Sequence, residues 1–199
     1  DYLLEDERID VEGISGAGAG AINGSLLAYG LSTGDRAKAK ELLESFWKKI
    51  SISADILNPS MVDKFFSGMD FMAPGYMAMD YMMRMMSPYQ FNFFNLNPLK
   101  DVLEELIDFN RLSRENKKKL FINATNVKTS KSKIFAGKDL TIEALLASAC
   151  LPYLYKSVEI NGEHYWDGSY SANPSLYPLI RRCESSDILL VQVNPMGAD

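Results

Sequence analysis

The sequence predicts an α/β protein, with three α/β/α layers around a central, mostly parallel sheet. The first observation is a short apolar strand at residues 9–14 that turns directly into a helix through a run of glycine and alanine. The second is the alternation of buried strands with amphipathic helices along the rest of the chain. The third is the continuous apolar run at 187–195, which is typical of a parallel strand covered on both faces. The length of 199 residues suits a single domain over 1–199.

The junction between the first strand and helix is the most distinctive stretch of the chain. Residues 16–20 read Gly-Ala-Gly-Ala-Gly, and apolar residues recur at helical spacing from Ala19 onward. Glycine and alanine permit a sharp turn and close backbone approach. The first N–H groups of the helix then point out of its N-terminal end, where a phosphate or an oxyanion can accept hydrogen bonds from them.

One interpretation of this junction is a dinucleotide-binding loop. Gly16, Gly18 and Ala21 fit the loose glycine fingerprint of such loops. That fingerprint also requires a second strand that ends in an acidic residue about 20 positions later. Asp35 has this spacing, but it opens a helix and ends no strand, which disfavours a bound dinucleotide.

The second interpretation is a nucleophile elbow of the form G-x-S-x-G, the strand–turn–helix of serine hydrolases. Gly16 and Gly20 are then the flanking glycines, which leave room where Cβ atoms would crowd the nucleophile. The nucleophile position is occupied by Gly18. A frame centred on Ser15 loses the last glycine and puts the serine inside the strand. The third interpretation is a tight turn whose glycines serve packing alone.

Composition excludes several classes of function. The net charge of −5 and the lack of a basic stripe argue against nucleic acid as a partner. The single histidine, His164, excludes a zinc site built on several histidines, and we expect neither a metal nor a cofactor. Strand alternation puts His164 on the face opposite Asp167. Cys150 lies in an apolar run and is predicted to be a buried thiol. No membrane span or signal peptide is evident, which favours a cytoplasmic or peripheral membrane location.

The middle of the chain differs from the rest in composition. Asp35 or Thr33 caps an amphipathic helix whose apolar face includes Phe46 and Trp47. Residues 51–97 are then rich in methionine and phenylalanine, with eight methionines between positions 69 and 86. Methionine side chains repack around variable apolar guests. We therefore expect a helical cap or lid over 51–97, either a loosely packed part of the core or a surface for acyl chains or a membrane through residues 65–97.

The remaining elements follow from local signals. Pro98 begins an amphipathic helix, Thr141 caps another, and Asn161-Gly162 marks a type I′ hairpin. The predicted elements are helices at 97–107, 142–150 and 175–182, and strands at 120–127, 132–136, 157–160, 163–166 and 187–195.

Three stretches together resemble the patatin-like phospholipase family, as it is found in bacteria. Residues 14–24, ISGAGAGAING, are similar to the family's elbow G-x-S-x-G-A-I-N at every place but one. Residues 147–152, ASACLP, resemble its A-S-x-x-x-P segment. Trp166-Asp167-Gly168, with Asn173-Pro174 after it, resembles its D-G-[GA] motif and the N-P that follows. In combination these motifs are far more specific than any one alone.

The resemblance implies a Ser–Asp dyad that needs no histidine. Gly18 would occupy the place of the nucleophilic serine, and Asp167 would take the proton from the serine and return it to the leaving alcohol. Gly16 and Gly20 would flank the elbow, and the N–H groups at Ala19 and its neighbours would assist in stabilising an anion. The family's glycine-rich oxyanion segment and its strand would precede Asp1, so we expect this chain to be a fragment.

The implied activity is hydrolysis of lipid acyl esters through an acyl-enzyme. Because Gly18 has no oxygen, we expect this chain to be inactive by that mechanism. The alternative is a non-catalytic lipid-binding or scaffolding protein that kept the pocket and lost the serine. A dinucleotide-binding oxidoreductase is the third hypothesis.

Overall fold

A computed structural model describes residues 2–56, 98–115, 117–152 and 155–191. Within these residues we number helices and strands in chain order. The helices are α1 (Tyr2–Glu5), α2 (Ala19–Thr33), α3 (Arg36–Ile56), α4 (Pro98–Leu106), α5 (Phe109–Glu115), α6 (Ile142–Ser148) and α7 (Tyr177–Arg182). The strands are β1 (Gly13–Gly16), β2 (Lys119–Asn126), β3 (Ser132–Ala136), β4 (Val158–Ile160) and β5 (Glu163–Asp167). Short 3₁₀ turns cover Gly137–Asp139 and Gly168–Tyr170. The α/β class predicted from the sequence is confirmed.

The strands form one mixed sheet around β2. β1 pairs with β2 in parallel, whereas β3 and β5 pair with β2, and β4 with β5, in antiparallel fashion. Short turns join β2 to β3 and β4 to β5, and such turns can only join antiparallel strands. The antiparallel pairing of β2 with β5 is made between strands distant in the chain. Ile122 pairs with both β1 and β3, and Ala124 pairs with both β3 and β5. β1 and β5 therefore lie end to end along the same side of β2.

This register brings the C-terminal ends of β1 and β5 close together. Gly16, the last residue of β1, is opposite Ile122, and Asp167, the last residue of β5, is opposite Ala124. Only Asn123 separates these two positions on β2. The strands run toward each other from opposite directions, so the turn after β1 and the turn after β5 come together above Asn123.

Helices cover β1 on both faces, because consecutive residues of a strand point to opposite sides. A Cβ placed on Gly24 of α2 would lie 2.8 Å from the Ile14 side chain, and one placed on Gly13 would lie 3.1 Å from Leu179 of α7. Glycine at 24 therefore lets α2 lie close on the sheet, and α7 covers the opposite face. The core on the α2 side joins four further helices, with Phe46, Leu103, Ile107, Leu112 and Leu145 almost fully buried.

Local signals in the sequence are confirmed at several element boundaries. The Asp35 side chain accepts a hydrogen bond from the N–H of Lys38 at the start of α3. The Thr141 hydroxyl accepts one from the N–H of Ala144 at the start of α6. Asn161 and Gly162 both have positive φ, 53° and 79°, as a type I′ turn requires. The helices at 142–150 and 175–182 are shorter than predicted and are α6 and α7.

Two expectations for apolar residues are wrong in the described chain. Residues 187–191 of the predicted strand form no strand and are exposed, with Val191 74% accessible, because no described strand pairs with them; residues 192–195 lie outside the described chain. Trp47 is 43% exposed, and its indole N–H donates to Asn23 at the surface. The predicted cap lies outside the described residues from position 57 onward, while α3 continues to Ile56.

An ion pair at the start of β1 ties the chain after α7 to the sheet. The Glu12 carboxylate accepts hydrogen bonds from Lys119 Nζ at 2.6 Å and from the N–H groups of Glu184 and Ser185. The bond from Lys119, followed by the backbone N–H groups, lowers the pKa of Glu12 from 4.5 to about 2. The ionised carboxylate is therefore the form that the folded state favours.

The ion pair between Glu12 and Lys119 is expected to make the stability of the protein depend on pH. Because the folded-state pKa of Glu12 lies below its unfolded value, its contribution is fully present above 4.5 and is lost as pH falls toward about 2. Glu12→Gln is expected to lower Tm at neutral pH and to flatten the fall of Tm across that window. Glu7→Gln, at an exposed position, is the control. An unchanged pH profile in Glu12→Gln would show that the carboxylate is not held in this way.

Candidate active site

The turn after β1 is a sharp strand-to-helix junction with Gly18 at its crest. β1 ends at Gly16 and α2 begins at Ala19, with Gly18 between them at φ 57° and ψ −130°. A residue with a side chain adopts this backbone conformation only at a cost of about 1–3 kcal/mol. Serine hydrolases place their nucleophile on such a strained turn. Gly18 therefore stands where the sequence pattern put the nucleophile position.

The two predicted flanking glycines differ in what they do. A Cβ placed on Gly16 would lie 2.4 Å from the carbonyl oxygen of Gly20, so only glycine fits there. Gly20 is exposed on the first turn of α2, and a Cβ placed on it meets no described atom within 4 Å. The expectation that both glycines are needed for space is therefore wrong for Gly20, because a Cβ there would stand in open space.

Asp167 lies directly opposite Gly18. It is the last residue of β5 and is only 4% exposed. Its Oδ1 accepts hydrogen bonds from the N–H of Ser169 at 2.8 Å and the Ser169 hydroxyl at 2.6 Å. A Cβ placed on Gly18 would lie 3.2 Å from its Oδ2 and 3.5 Å from its Oδ1. The structure thus brings together the two residues that lie 149 positions apart in the sequence, from 18 to 167.

Gly168 allows this approach from the other side. A Cβ placed on it would lie 1.9 Å from the carbonyl oxygen of Asn123, a distance at which no side chain fits. The Asn123 amide donates to the carbonyls of Gly168 and Ala172, both at 2.9 Å. Thr125, also buried on this strand, donates from its hydroxyl to the Asp167 carbonyl at 2.8 Å and lies 2.9 Å from the Ser171 hydroxyl. The central strand therefore holds the loop that follows Asp167 through two buried side chains.

Ser148 links the elbow to the same strand, and sequence reasoning assigned it no role. The Gly18 N–H donates to the Ser148 carbonyl at 3.1 Å and to its hydroxyl at 3.2 Å. The Ser148 hydroxyl in turn donates to the Asn123 carbonyl at 2.8 Å. The side chains of Ser148 and Asn123 are fully buried. The only signal in the sequence was that Ser148 lies in the ASACLP stretch.

Removing the Ser148 hydroxyl should therefore destabilise the elbow. Ser148→Ala leaves the Asn123 carbonyl without this buried donor and is expected to cost about 1–3 kcal/mol in free energy of unfolding. Ser25→Ala is a matched control, because the equally buried Ser25 hydroxyl donates to the Ala21 carbonyl of its own helix and, among the described residues, links to no other element. Urea denaturation of both variants measures the difference. Equal losses would show that the Ser148 bridge has no special role.

Other side chains near the site have different tasks. Ser15 lies within β1 and donates to the Ser175 carbonyl at 2.6 Å, so its hydroxyl faces away from Asp167. His164 is exposed and bonds to Ser157, on the face opposite the carboxylate. Burial, and then the charge of Asp167, raises the pKa of the Cys150 thiol to about 11. A neutral thiol is a poor nucleophile, so Cys150 is unsuited to that role.

Three features that would indicate other kinds of protein, namely a metal site, a dinucleotide-binding strand end and a membrane-spanning helix, are not found among the described residues. Among them, no group of histidine, cysteine and acidic side chains is arranged to hold a metal ion. Asp35 caps α3 and ends no strand, contrary to what the dinucleotide fingerprint requires. None of the helices in residues 2–56, 98–115, 117–152 and 155–191 is long and apolar enough to cross a membrane.

The fold and the junction at Gly18 define an α/β protein built around a strand–turn–helix elbow. The family model for patatin-like phospholipase matches residues 1–180, and the chain belongs to that family. This is the family that the three sequence motifs indicated. The family is one of lipid acyl hydrolases, with a lipid as its substrate. No curated protein sequence matches the chain.

Proposed function

We propose that the site formed by position 18 and Asp167 is the acyl-transfer centre of a lipid acyl-ester hydrolase. One observation carries this proposal: a side chain at position 18 would start 3.2 Å from Oδ2 of Asp167. A hydroxyl one bond further out can reach hydrogen-bond distance from that oxygen without any change in the backbone. The buried carboxylate is held by Ser169 through its other oxygen, which leaves Oδ2 directed at the nucleophile position.

With serine at position 18, the chemistry proceeds in two steps. The hydroxyl attacks the ester carbonyl while Asp167 accepts its proton, and the proton passes to the leaving alcohol as the acyl-enzyme forms. Water then attacks the acyl-enzyme with Asp167 again as the base. The backbone N–H of Ala19, at the exposed start of α2, contributes to stabilising the oxyanion. Gly168 is the residue that lets the carboxylate come this close.

The chain as it stands lacks the attacking oxygen, so we propose that it forms no acyl-enzyme. In aqueous buffer the full-length protein is expected to hydrolyse p-nitrophenyl butyrate no faster than its Asp167→Asn variant. Release of p-nitrophenol measures this directly. Hydrolysis that exceeds the Asp167→Asn rate would contradict the assignment of position 18 as the only nucleophile of the site.

The second candidate function is lipid binding without catalysis, and Gly18 is the observation that favours it. Glycine relieves the backbone strain of the crest while the hydrogen bonds around Asp167 and Ser148 stay intact. Such a protein would bind fatty acids or lysolipids with an affinity that survives Asp167→Ala. Equilibrium dialysis with oleate tests this, and no binding by the full-length protein would contradict it. A membrane contact through residues 65–97 belongs to the same proposal and lies outside the described chain.

A further inference from the structure

Large apolar side chains are exposed at the edge of the sheet where position 18 and Asp167 lie. Tyr170 closes the 3₁₀ turn that follows Asp167, and its side chain is 54% exposed. Leu151 is also exposed and follows Cys150, whose carbonyl accepts the N–H of Asp167 at 2.9 Å. Exposed apolar side chains that occur singly need no explanation, whereas a group of them beside a site indicates a surface for an apolar partner.

The loop that follows β5 carries two more such side chains to the same edge. It passes from the end of β5 to the C-terminal end of β1, where the Ser15 hydroxyl donates to the Ser175 carbonyl at 2.6 Å. Leu176 and Tyr177 come directly after this contact, and both are exposed, Tyr177 by 65%. We call these four exposed residues the apolar rim: Leu151, Tyr170, Leu176 and Tyr177.

The three segments that meet at this edge contain no charged residue. Charged residues make up 24% of the chain, yet residues 13–34, 144–155 and 168–180 contain none. The first two segments are joined by the hydrogen bond from Gly18 to Ser148, and the third begins directly after β5. Because moving a charge out of water is costly, an edge built from uncharged segments can lie against an apolar phase at little cost.

The charged residue that follows the third segment is a cation beside the apolar rim. Arg181 comes directly after that segment, and its guanidinium lies 5.5 Å from the centre of the Tyr177 ring. Basic side chains next to exposed aromatic rings are typical of surfaces that bind the headgroup region of an anionic bilayer. The substrate of the family is a lipid, which favours a lipid surface over a protein as the partner.

We propose that the apolar rim and Arg181 form the surface by which the protein docks on an anionic lipid bilayer. The inference rests on the proposed function, because it names the place from which that site takes its lipid ester. The tyrosine rings lie among the headgroups with their hydroxyls in water, and the leucine side chains enter the boundary of the acyl chains. Arg181 pairs with the negative charge of the headgroups.

Sedimentation with vesicles tests this surface in the unmodified full-length protein, which is expected to leave the lipid intact. The vesicles contain phosphatidylcholine alone, or phosphatidylcholine and phosphatidylserine in equal parts. We expect binding to both, and tighter binding to the anionic vesicles. Tyr170→Ser combined with Tyr177→Ser is expected to weaken binding to both by about tenfold or more, because two rings no longer leave water. Both side chains are exposed, so this variant is expected to keep the Tm of the unmodified protein.

Ile188→Ser is the matched control for the two tyrosines. Ile188 is also an exposed apolar residue, but it follows Ser185, whose N–H donates to Glu12 at the opposite end of β1 from the apolar rim. Its replacement is expected to leave vesicle binding unchanged.

Arg181→Gln separates the charge from the apolar contact. It is expected to weaken binding to the anionic vesicles by about fivefold and to leave binding to phosphatidylcholine vesicles unchanged. Arg114→Gln is the control, because Arg114 is exposed on α5, and the chain after α5 bonds to Ser32 at the opposite end of α2 from position 18. This control is expected to change neither value.

Absence of vesicle binding by the full-length protein, or binding that the two tyrosine substitutions leave unchanged, would overturn the inference. A protein that ignores vesicles and forms a dimer dependent on the same tyrosines would also overturn it, because the apolar rim would then be an interface between copies of the chain.

The Gly18→Ser variant separates this failure from failure of the proposed function, because p-nitrophenyl butyrate reaches the site from water. If Gly18→Ser hydrolyses this ester and the protein binds no vesicles, only the docking surface is refuted. If Gly18→Ser is folded and inactive while vesicle binding depends on the tyrosines, the acyl-transfer centre is refuted and the docking surface stands.

Discussion

Gly18→Ser in the full-length protein is expected to create ester hydrolysis where the unmodified protein has none. The new hydroxyl starts from a Cβ that lies 3.2 Å from Oδ2 of Asp167, so the base is already in place. Loss of a serine nucleophile from a hydrolase lowers kcat by roughly 10⁶-fold, and we expect a gain on the order of 10⁴–10⁶ when it is restored. The initial rate of p-nitrophenyl butyrate hydrolysis measures this gain.

Gly18→Ala is the matched control for this prediction. It imposes the same backbone strain at φ 57° but supplies no oxygen. Both variants are expected to lose about 1–3 kcal/mol in free energy of unfolding, because a residue with a Cβ is held in a conformation that favours glycine. Only Gly18→Ser should gain activity. A gain of equal size in Gly18→Ala would show that the hydrolysis arises elsewhere in the protein.

Gly168→Ala is expected to have the largest effect on stability. A Cβ at this position would lie 1.9 Å from the Asn123 carbonyl oxygen and 2.6 Å from its side-chain nitrogen. Both atoms belong to a residue in the middle of β2 that cannot move without disturbing the sheet. We expect a loss of about 3 kcal/mol or more, beyond the usual range for overpacking, because the closest clash is with a backbone oxygen and the other is with an amide that two hydrogen bonds hold in place. Thermal unfolding of the full-length variant measures the loss.

Gly20→Ala provides the comparison for Gly168→Ala. Gly20 is exposed in the first turn of α2, has an ordinary φ and meets no described atom within 4 Å of a Cβ. Alanine at an exposed helical position of this kind is expected to be neutral or to stabilise by up to about 1 kcal/mol. A similar loss of Tm in the two variants would contradict the packing assigned to Gly168.

Local chemistry explains which parts of the fold could be predicted from sequence. The junction at Gly18, the Asn161-Gly162 turn and the caps at Asp35 and Thr141 depend on residues close together in the chain. Each is recognisable because glycine, asparagine or a capping oxygen is needed for a specific backbone conformation. The structure contains all four.

The parts that could not be predicted depend on distant pairing. That β1 and β5 meet end to end above Asn123 follows from the register of two strands on β2, which no local pattern encodes. The bridge from Gly18 through Ser148 to Asn123 exists only once that register is set. At residues 187–195 the apolar pattern predicted a strand that depends on a pairing partner. Residues 187–191 form no strand in the structure.

The most direct test of the central claim is covalent labelling of position 18. The Gly18→Ser protein is treated with diethyl p-nitrophenyl phosphate, which phosphorylates activated serine nucleophiles, and the adduct is located by peptide mass spectrometry. We expect a single diethylphosphoryl group on the new serine, and labelling that is strongly reduced when Asp167→Asn is added. A folded Gly18→Ser protein that stays unlabelled, or one whose labelling does not depend on Asp167, would contradict the assignment of these two positions as the acyl-transfer centre.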